Sequence, residues 1–271
     1  MKFEVDEEDF KLWRADCGIV LPDLVRNGWK FDMIFLDPPF FDWGGEVQSN
    51  KPDHNALSDL SRMLLKDEGS VWLCGTQPQL VSDWKWWSRF FNLNFEVIQA
   101  KSAGSPPTGQ RKQWLRVHEN IWCMYKSRTK YNELKMNVDR ITKEGEATEK
   151  GQAWRLWAEG KKPWRQNVGY PRSVVQTKKI TTGHPEYIGH PTQKPEDLIR
   201  DIIGFSTEPG DWILDPFCGS GTVPAVAIEM GRRCYAVEIE PEYVKMIIDR
   251  VGRVRAEMSK TEPIKRQVKL I

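Results

Sequence analysis

Asp37-Pro38-Pro39-Phe40 sets one carboxylate, two prolines and one aromatic ring in a row, directly after the apolar run at 33–36. Two consecutive prolines fix the backbone and remove two N–H donors. The polar groups left are acceptors: the Asp37 carboxylate and a proline carbonyl. Such a set suits a partner with hydrogens to donate, and an amine on an aromatic ring is one. The lone pair of that amine is delocalised into the ring and is a poor nucleophile. Acceptors on both of its N–H groups would draw the nitrogen toward a tetrahedral shape and free the lone pair. Phe40 would stack on the ring face, a contact worth ~1–3 kcal/mol for a nucleic-acid base. Alone, the tetrapeptide fits equally well a proline-rich turn that closes a strand.

A second constellation lies far downstream. Asp215-Pro216-Phe217-Cys218-Gly219-Ser220-Gly221-Thr222 follows the apolar run at 212–214 and opens a helical pattern. Glycine is needed where backbone must approach a ligand closely or take positive φ. The helix start beyond it offers free N–H groups to an anion. Glu238 ends the next strand-like run, about twenty residues on, at a spacing that suits a carboxylate bonding ribose hydroxyls. Glu240 competes for that role, two residues later on the same face. A nicotinamide dinucleotide would use similar spacing, but the loop lacks the third glycine of that fingerprint.

The elements that must hold these groups alternate. Short β-branched or aromatic runs at 11–15, 32–36, 70–74, 95–100, 120–125, 212–214 and 234–239 read as buried strands. Helical periodicity appears at 56–65, 195–205, 222–230 and 241–258. Alternation of this kind implies an α/β domain whose largely parallel sheet is covered on both faces. Residues 127–189 break the pattern with Lys, Glu, Gly and Thr, interrupted by Trp154, Trp157, Trp164 and Tyr170. A stretch that long without periodicity reads as an inserted subdomain or binding segment.

A chain of 271 residues can bury one full α/β core and carry such an insertion. No run of about eighteen apolar residues exists, so a membrane span is not expected. The acidic N-terminus lacks an apolar signal core, and a cytoplasmic protein is the expectation. Five cysteines stand singly, with no Cys-x-x-Cys pair and only four histidines, so no metal is expected and the thiols read as free. Net charge is only +2, yet its distribution is uneven. Segment 101–118 carries Lys101, Arg111, Lys112 and Arg116 with no carboxylate, and 127–190 has 13 basic against 7 acidic residues. Lys101, Arg111 and Lys112 sit where a loop could grip phosphates. Arg155, Lys161, Lys162 and Arg165 interleave with tryptophans, a pattern that suits nucleic-acid contact.

Taken together, these motifs resemble the DNA amino-methyltransferases, which methylate adenine N6 or cytosine N4. The resemblance rests on Asp37-Pro38-Pro39-Phe40, His190-Pro191-Thr192-Gln193-Lys194-Pro195, Asp215 to Thr222, and the tail that runs from Glu238 to Tyr243. Arg14-Ala15-Asp16-Cys17 is similar to the family's Gly-Asp-Cys, with Ala15 in place of glycine, and His118-Glu119 to the His-Glu that opens a late strand. The matches cover roughly 1–126 and 188–250.

The resemblance implies a Rossmann-like fold for S-adenosylmethionine (AdoMet), with a seven-stranded sheet holding one antiparallel strand. Catalytic motif before AdoMet motif implies the circularly permuted β group. Residues 1–126 would then be the catalytic half, 127–187 the variable target-recognition region and 188–271 the AdoMet-binding half. Asp37, Pro38, Pro39 and Phe40 would hold a base flipped out of the duplex. Asp16 would meet the cofactor adenine and Glu238 its ribose. Asp215, Phe217, Gly219, Gly221 and Thr222 would line its methionine portion, with Thr192 and Lys194 reaching the carboxylate. Asp at the first motif position favours adenine N6 in DNA, where the cytosine-N4 members usually carry Ser. Cytosine N4, an RNA acceptor and a non-catalytic nucleic-acid-binding subunit stay open. The implied setting is a bacterial or phage-infected cell, nucleoid-associated, with or without a restriction endonuclease partner, as monomer or homodimer.

Overall fold

The computed structural model describes residues 3–39, 52–101, 117–127, 136–137, 168–169 and 172–268, with 136–137, 168–169 and 261–268 described by backbone alone. The chain begins with β1 (Phe3–Asp6), β2 (Phe10–Arg14), α1 (Cys17–Arg26), β3 (Phe31–Leu36), α2 (His54–Leu64), β4 (Leu65–Gly75), α3 (Gln77–Trp87), β5 (Asn92–Lys101) and β6 (His118–Tyr125). It continues with β7 (Met136–Asn137), β8 (Val168–Gly169), β9 (Val174–Thr177), α4 (Glu196–Ser206), β10 (Trp212–Asp215), α5 (Thr222–Glu229), β11 (Arg233–Glu238) and α6 (Pro241–Val268).

Among the described residues, nine strands form one sheet in the order β1-β2-β11-β10-β3-β4-β6-β5-β9, and β7 pairs with β8 separately. Seven of the nine, from β2 to β5, make the expected sheet. Within them β6 alone runs antiparallel to its neighbours. Two edge strands extend it beyond expectation: β1, antiparallel to β2, and β9, parallel to β5. β9 lies inside the aperiodic 127–189 segment, so the described end of that segment joins the main sheet.

Burial explains the layering. In β3, Met33 and Phe35 pack with α4, α5 and α6 on one face, while Phe31, Ile34 and Leu36 pack with α1, α2 and α3 on the other. A strand buried on both sides reads as a continuous apolar run, which is why 32–36 was conspicuous in the sequence. α4 presents Leu198, Ile199, Ile202 and Ile203 inward, at i, i+1, i+4 and i+5. Two helices were not anticipated. α1 carries Pro22 in its interior, and its start is instead secured by Asp16, whose carboxylate accepts from Gly18 N at 2.7 Å. In α3 the apolar period is obscured, because Val81 is 63% exposed while only Leu80 and Trp87 are buried. No helix among the described residues is long and apolar enough to cross a membrane.

Candidate active site

The sheet's strand order reverses between β10 and β3, and a crevice opens at the carboxyl ends of strands where that happens. Leu214 lies opposite Ile34 in parallel register. Asp215 and Asp37, the residues that begin the two motifs, therefore emerge together at one edge although 178 positions separate them. Both line a cleft of about 710 Å³. Asp16, Pro38, Pro39, Thr192, Lys194, Phe217, Gly219, Thr222 and Glu238 line it too.

In the catalytic half, the loop before α4 carries Lys194 into contact with Asp37. The Lys194 ammonium lies 2.5 Å from Asp37 Oδ2 and 3.3 Å from Glu119 Oε2. Glu119 also takes the Lys101 ammonium on its other oxygen. Burial opposes the charge on Lys194, but Asp37 and Glu119 outweigh it and hold its pKa above the ordinary lysine value. Glu119 shows the mirror balance: burial pushes it up, while Lys194 and Lys101 hold it down to about 2. Both carriers of charge are thus ionised at neutral pH. Asp37 Oδ1 is buried and has no hydrogen-bond partner among the described residues. A buried acceptor left in that state is costly unless a ligand satisfies it.

In the other half, Glu238 organises the glycine loop. One oxygen accepts from Gly219 N at 2.7 Å, and the other from Ile239 N and Glu240 N, both at 2.9 Å. Burial raises its pKa against those backbone donors. Asp215 accepts from Phe217 N at 3.2 Å and is pushed up to about 8, by burial first, with Asp37 and Glu238 adding to it. Gly219 takes φ +49°, and a Cβ there would lie 3.0 Å from His190 Nε2. His190 in turn packs edge-on against Tyr243, ring centroids 4.5 Å apart. Burial lowers the His190 pKa, with Asp37 opposing and Lys194 adding, so the ring is neutral at pH 7. Its Nδ1 accepts from Thr192 N at 3.3 Å, which leaves the proton on Nε2. Gly219→Ala should therefore displace the imidazole and strain the loop, raising the dissociation constant of an adenosyl ligand by about tenfold. Titration calorimetry reads that change, and an unchanged affinity would show that the loop does not touch the ligand.

Some placements differ from expectation. Gly221 does not line the cleft. At φ +71° it caps α5 and lets α6 approach, since a Cβ would lie 3.0 Å from Ile247 Cγ1. Lys101 has its ammonium on Glu119, so it faces a buried carboxylate and not an open phosphate groove. Lys194 has its ammonium on Asp37 and Glu119, at the Asp37 side of the cleft. Phe40, Arg111, Lys112, Arg155, Lys161, Lys162 and Arg165 lie outside the described residues.

Sequence reasoning missed Arg250. Its buried guanidinium reaches Ser220 O at 3.1 Å, Thr222 Oγ1 at 2.9 Å and Glu196 Oε1 at 2.6 Å. Thr222 Oγ1 donates in turn to Lys194 O at 3.2 Å. The glycine loop and the Lys194 loop are thereby pinned to one helix. A signal existed, because Arg250 falls on the same face of α6 as buried Ile247 and Val251, where a solvated arginine would not sit.

The DNA methylase family model matches residues 31–249. The chain is similar to the DNA adenine methyltransferase YhdJ of Escherichia coli strain K12, at 29% identity over 229 residues that cover 81% of this chain and 76% of the relative. Its fold is similar to that of M1.HpyAVI, solved in complex with SAM, with a TM-score of 0.60 at 19% identity over 89% of this chain and 99% of the other. It is also similar to the cytosine-N4-specific PvuII DNA methyltransferase, with a TM-score of 0.56 at 15% identity over 91% of this chain and 93% of the other. The match at 31–249 takes in Asp37, Lys194, the glycine loop and Glu238, and the chain belongs to the DNA methylase family, the DNA amino-methyltransferases.

Proposed function

We propose that the protein methylates the N6 amine of adenine in DNA, with AdoMet as methyl donor and the target base turned out of the duplex. One observation carries the reading: Asp37 Oδ1, a buried acceptor without a hydrogen-bond partner among the described residues, stands beside two proline residues that offer no N–H. An exocyclic amine fills that position and a hydroxyl or carbonyl does so less well. When bound, AdoMet supplies an electrophilic methyl group on its sulfonium. The residues do the rest. Asp37 holds an amine hydrogen, Pro38 and Pro39 close the pocket wall, and Glu238 and Asp16 offer carboxylates to an adenosyl group. Asp215, Glu238 and Asp37 place three carboxyl groups on the floor. A ligand bearing a sulfonium and an ammonium would favour their charged forms, and the pyrophosphate of a dinucleotide would not.

Asp at the first motif position and the likeness to YhdJ, an adenine methyltransferase by name, favour adenine. The fold likeness to a cytosine-N4 enzyme keeps that acceptor as the second reading. We assign target recognition to 127–187, where base-edge contacts would set the site. A bacterial cytoplasm fits the reading, and a restriction endonuclease partner fits the likeness to M2.DpnII of Streptococcus pneumoniae, a type II methyltransferase by name, at 29% identity over 80% of this chain and 81% of the relative. The deciding experiment incubates the protein with labelled AdoMet and a mixture of DNA and RNA, then resolves the nucleosides by mass. N6-methyldeoxyadenosine is the expected product. Label only in N4-methyldeoxycytidine would move the acceptor, and label only in RNA would move the substrate.

A further inference from the structure

We infer that Glu119 is a positioning residue which, through Lys194, decides which oxygen of Asp37 faces the target amine. The inference rests on the reading of Asp37 as the acceptor of that amine. Three strands and a loop meet here. Asp37 follows β3, Glu119 stands near the start of β6, Lys101 ends β5, and Lys194 precedes α4. Carboxylate and ammonium alternate from Asp37 through Lys194 and Glu119 to Lys101, and the four formal charges cancel.

The geometry explains why Glu119 matters. An ammonium is a compact point charge on a flexible stem and does not by itself choose one oxygen of a carboxylate. Facing Asp37 alone, Lys194 could straddle both oxygens. Glu119 is a second carboxylate on the same ammonium, 3.3 Å away, while Asp37 Oδ2 lies at 2.5 Å. Lys194 is thereby held against Oδ2, and Oδ1 remains without a hydrogen-bond partner among the described residues. Methyl transfer needs that oxygen as an acceptor aimed at one place, and a misplacement of about 1 Å can cost ~100-fold in rate.

Glu119 also supplies half of the counter-charge on a lysine that is only 7% exposed. Among the described residues, Cys74 on β4 and His190 on its own loop also face Lys194. A thiol and a neutral imidazole cannot replace a carboxylate. Removing the Glu119 charge therefore weakens the opposition to burial, and Lys194 should lose its proton at lower pH.

The test compares wild type, Glu119→Gln and Glu119→Asp. For Glu119→Gln, kcat should fall by about 10- to 100-fold with the KM for AdoMet within about twofold. The alkaline limb of kcat should move at least about one pH unit lower. Glu119→Asp should recover part of kcat and the wild-type alkaline limb. A kcat within about twofold of wild type overturns the inference. So does a loss of kcat that follows melting temperature with the alkaline limb unmoved, since that marks a purely structural role. Nitrogen-15 NMR of the Lys194 ammonium gives a readout free of turnover. Its signal should persist to higher pH in wild type than in Glu119→Gln, and identical titrations overturn the inference. If wild type methylates no nucleic acid, the functional reading fails, while the NMR titration still decides the link from Glu119 to Lys194.

Discussion

Asp37→Asn should abolish methyl transfer as thoroughly as Asp37→Ala, with kcat down by about 10³-fold or more, while AdoMet affinity changes by less than about threefold. The asparagine is the sharper variant because its shape is nearly that of the carboxylate. Lys194 is a donor with no acceptor, and at 2.5 Å from Oδ2 it would claim the asparagine carbonyl oxygen. The amide NH2 would then point where Oδ1 now points. A donor would face the hydrogens of the target amine, and the lone pair of that amine would stay delocalised in the ring. Asp37→Ala removes the acceptor without adding a donor and leaves Lys194 paired with Glu119. Single-turnover transfer onto DNA, alongside calorimetric AdoMet binding, separates chemistry from cofactor capture. An asparagine variant that keeps more than about a tenth of wild-type kcat would show that the carboxylate is not the amine's acceptor.

The contrast between Asp37 and Lys194 shows how far sequence reaches into such a site. The runs at 32–36 and 212–214 were visible because central parallel strands are apolar on both faces, and their ends fixed where the two motifs begin. Their adjacency was not local information. It followed from motif order and the implied permutation, and the register of Leu214 opposite Ile34 bears it out. Lys194 stood in a motif whose residues were assigned to the cofactor, yet its ammonium lies between two carboxylates from strands 75 and 157 positions away. No window of sequence reports such a contact. β9 escaped because Val174–Thr177 is short, with a burial pattern that never reaches a fully buried residue. α1 escaped because Pro22 argued against a helix, and tertiary packing of Val20, Leu21 and Leu24 overrode it. Arg250 differed from its neighbours Arg253 and Arg255 only in the face of the helix it occupies.

Asp215→Asn should make the ligand-free protein more stable at alkaline pH and no different near pH 4. The carboxyl of Asp215 is pushed up to about 8, chiefly by burial, with Asp37 and Glu238 adding and the Phe217 N–H opposing. In an unfolded chain the same group titrates near ~3.9. Between those values the folded protein holds a proton that the unfolded one has released. Raising the pH through this window therefore removes stability, and the loss is complete above the folded value. Each pH unit is worth ~1.4 kcal/mol, which caps the effect at ~6 kcal/mol. Local relaxation lowers it, and a gain of ~2–4 kcal/mol for the asparagine at pH 8.5 is the expected size. Urea unfolding at pH 4 and pH 8.5 measures it, and a difference between the proteins that is the same at both pH values would refute the account. Saturating AdoMet should reverse the order at pH 8.5. A ligand bearing a sulfonium and an ammonium favours the charged carboxylate, so wild type gains more from mass action than the variant does. On the proposed function, the residue that weakens the ligand-free fold is one that the cationic ligand would use.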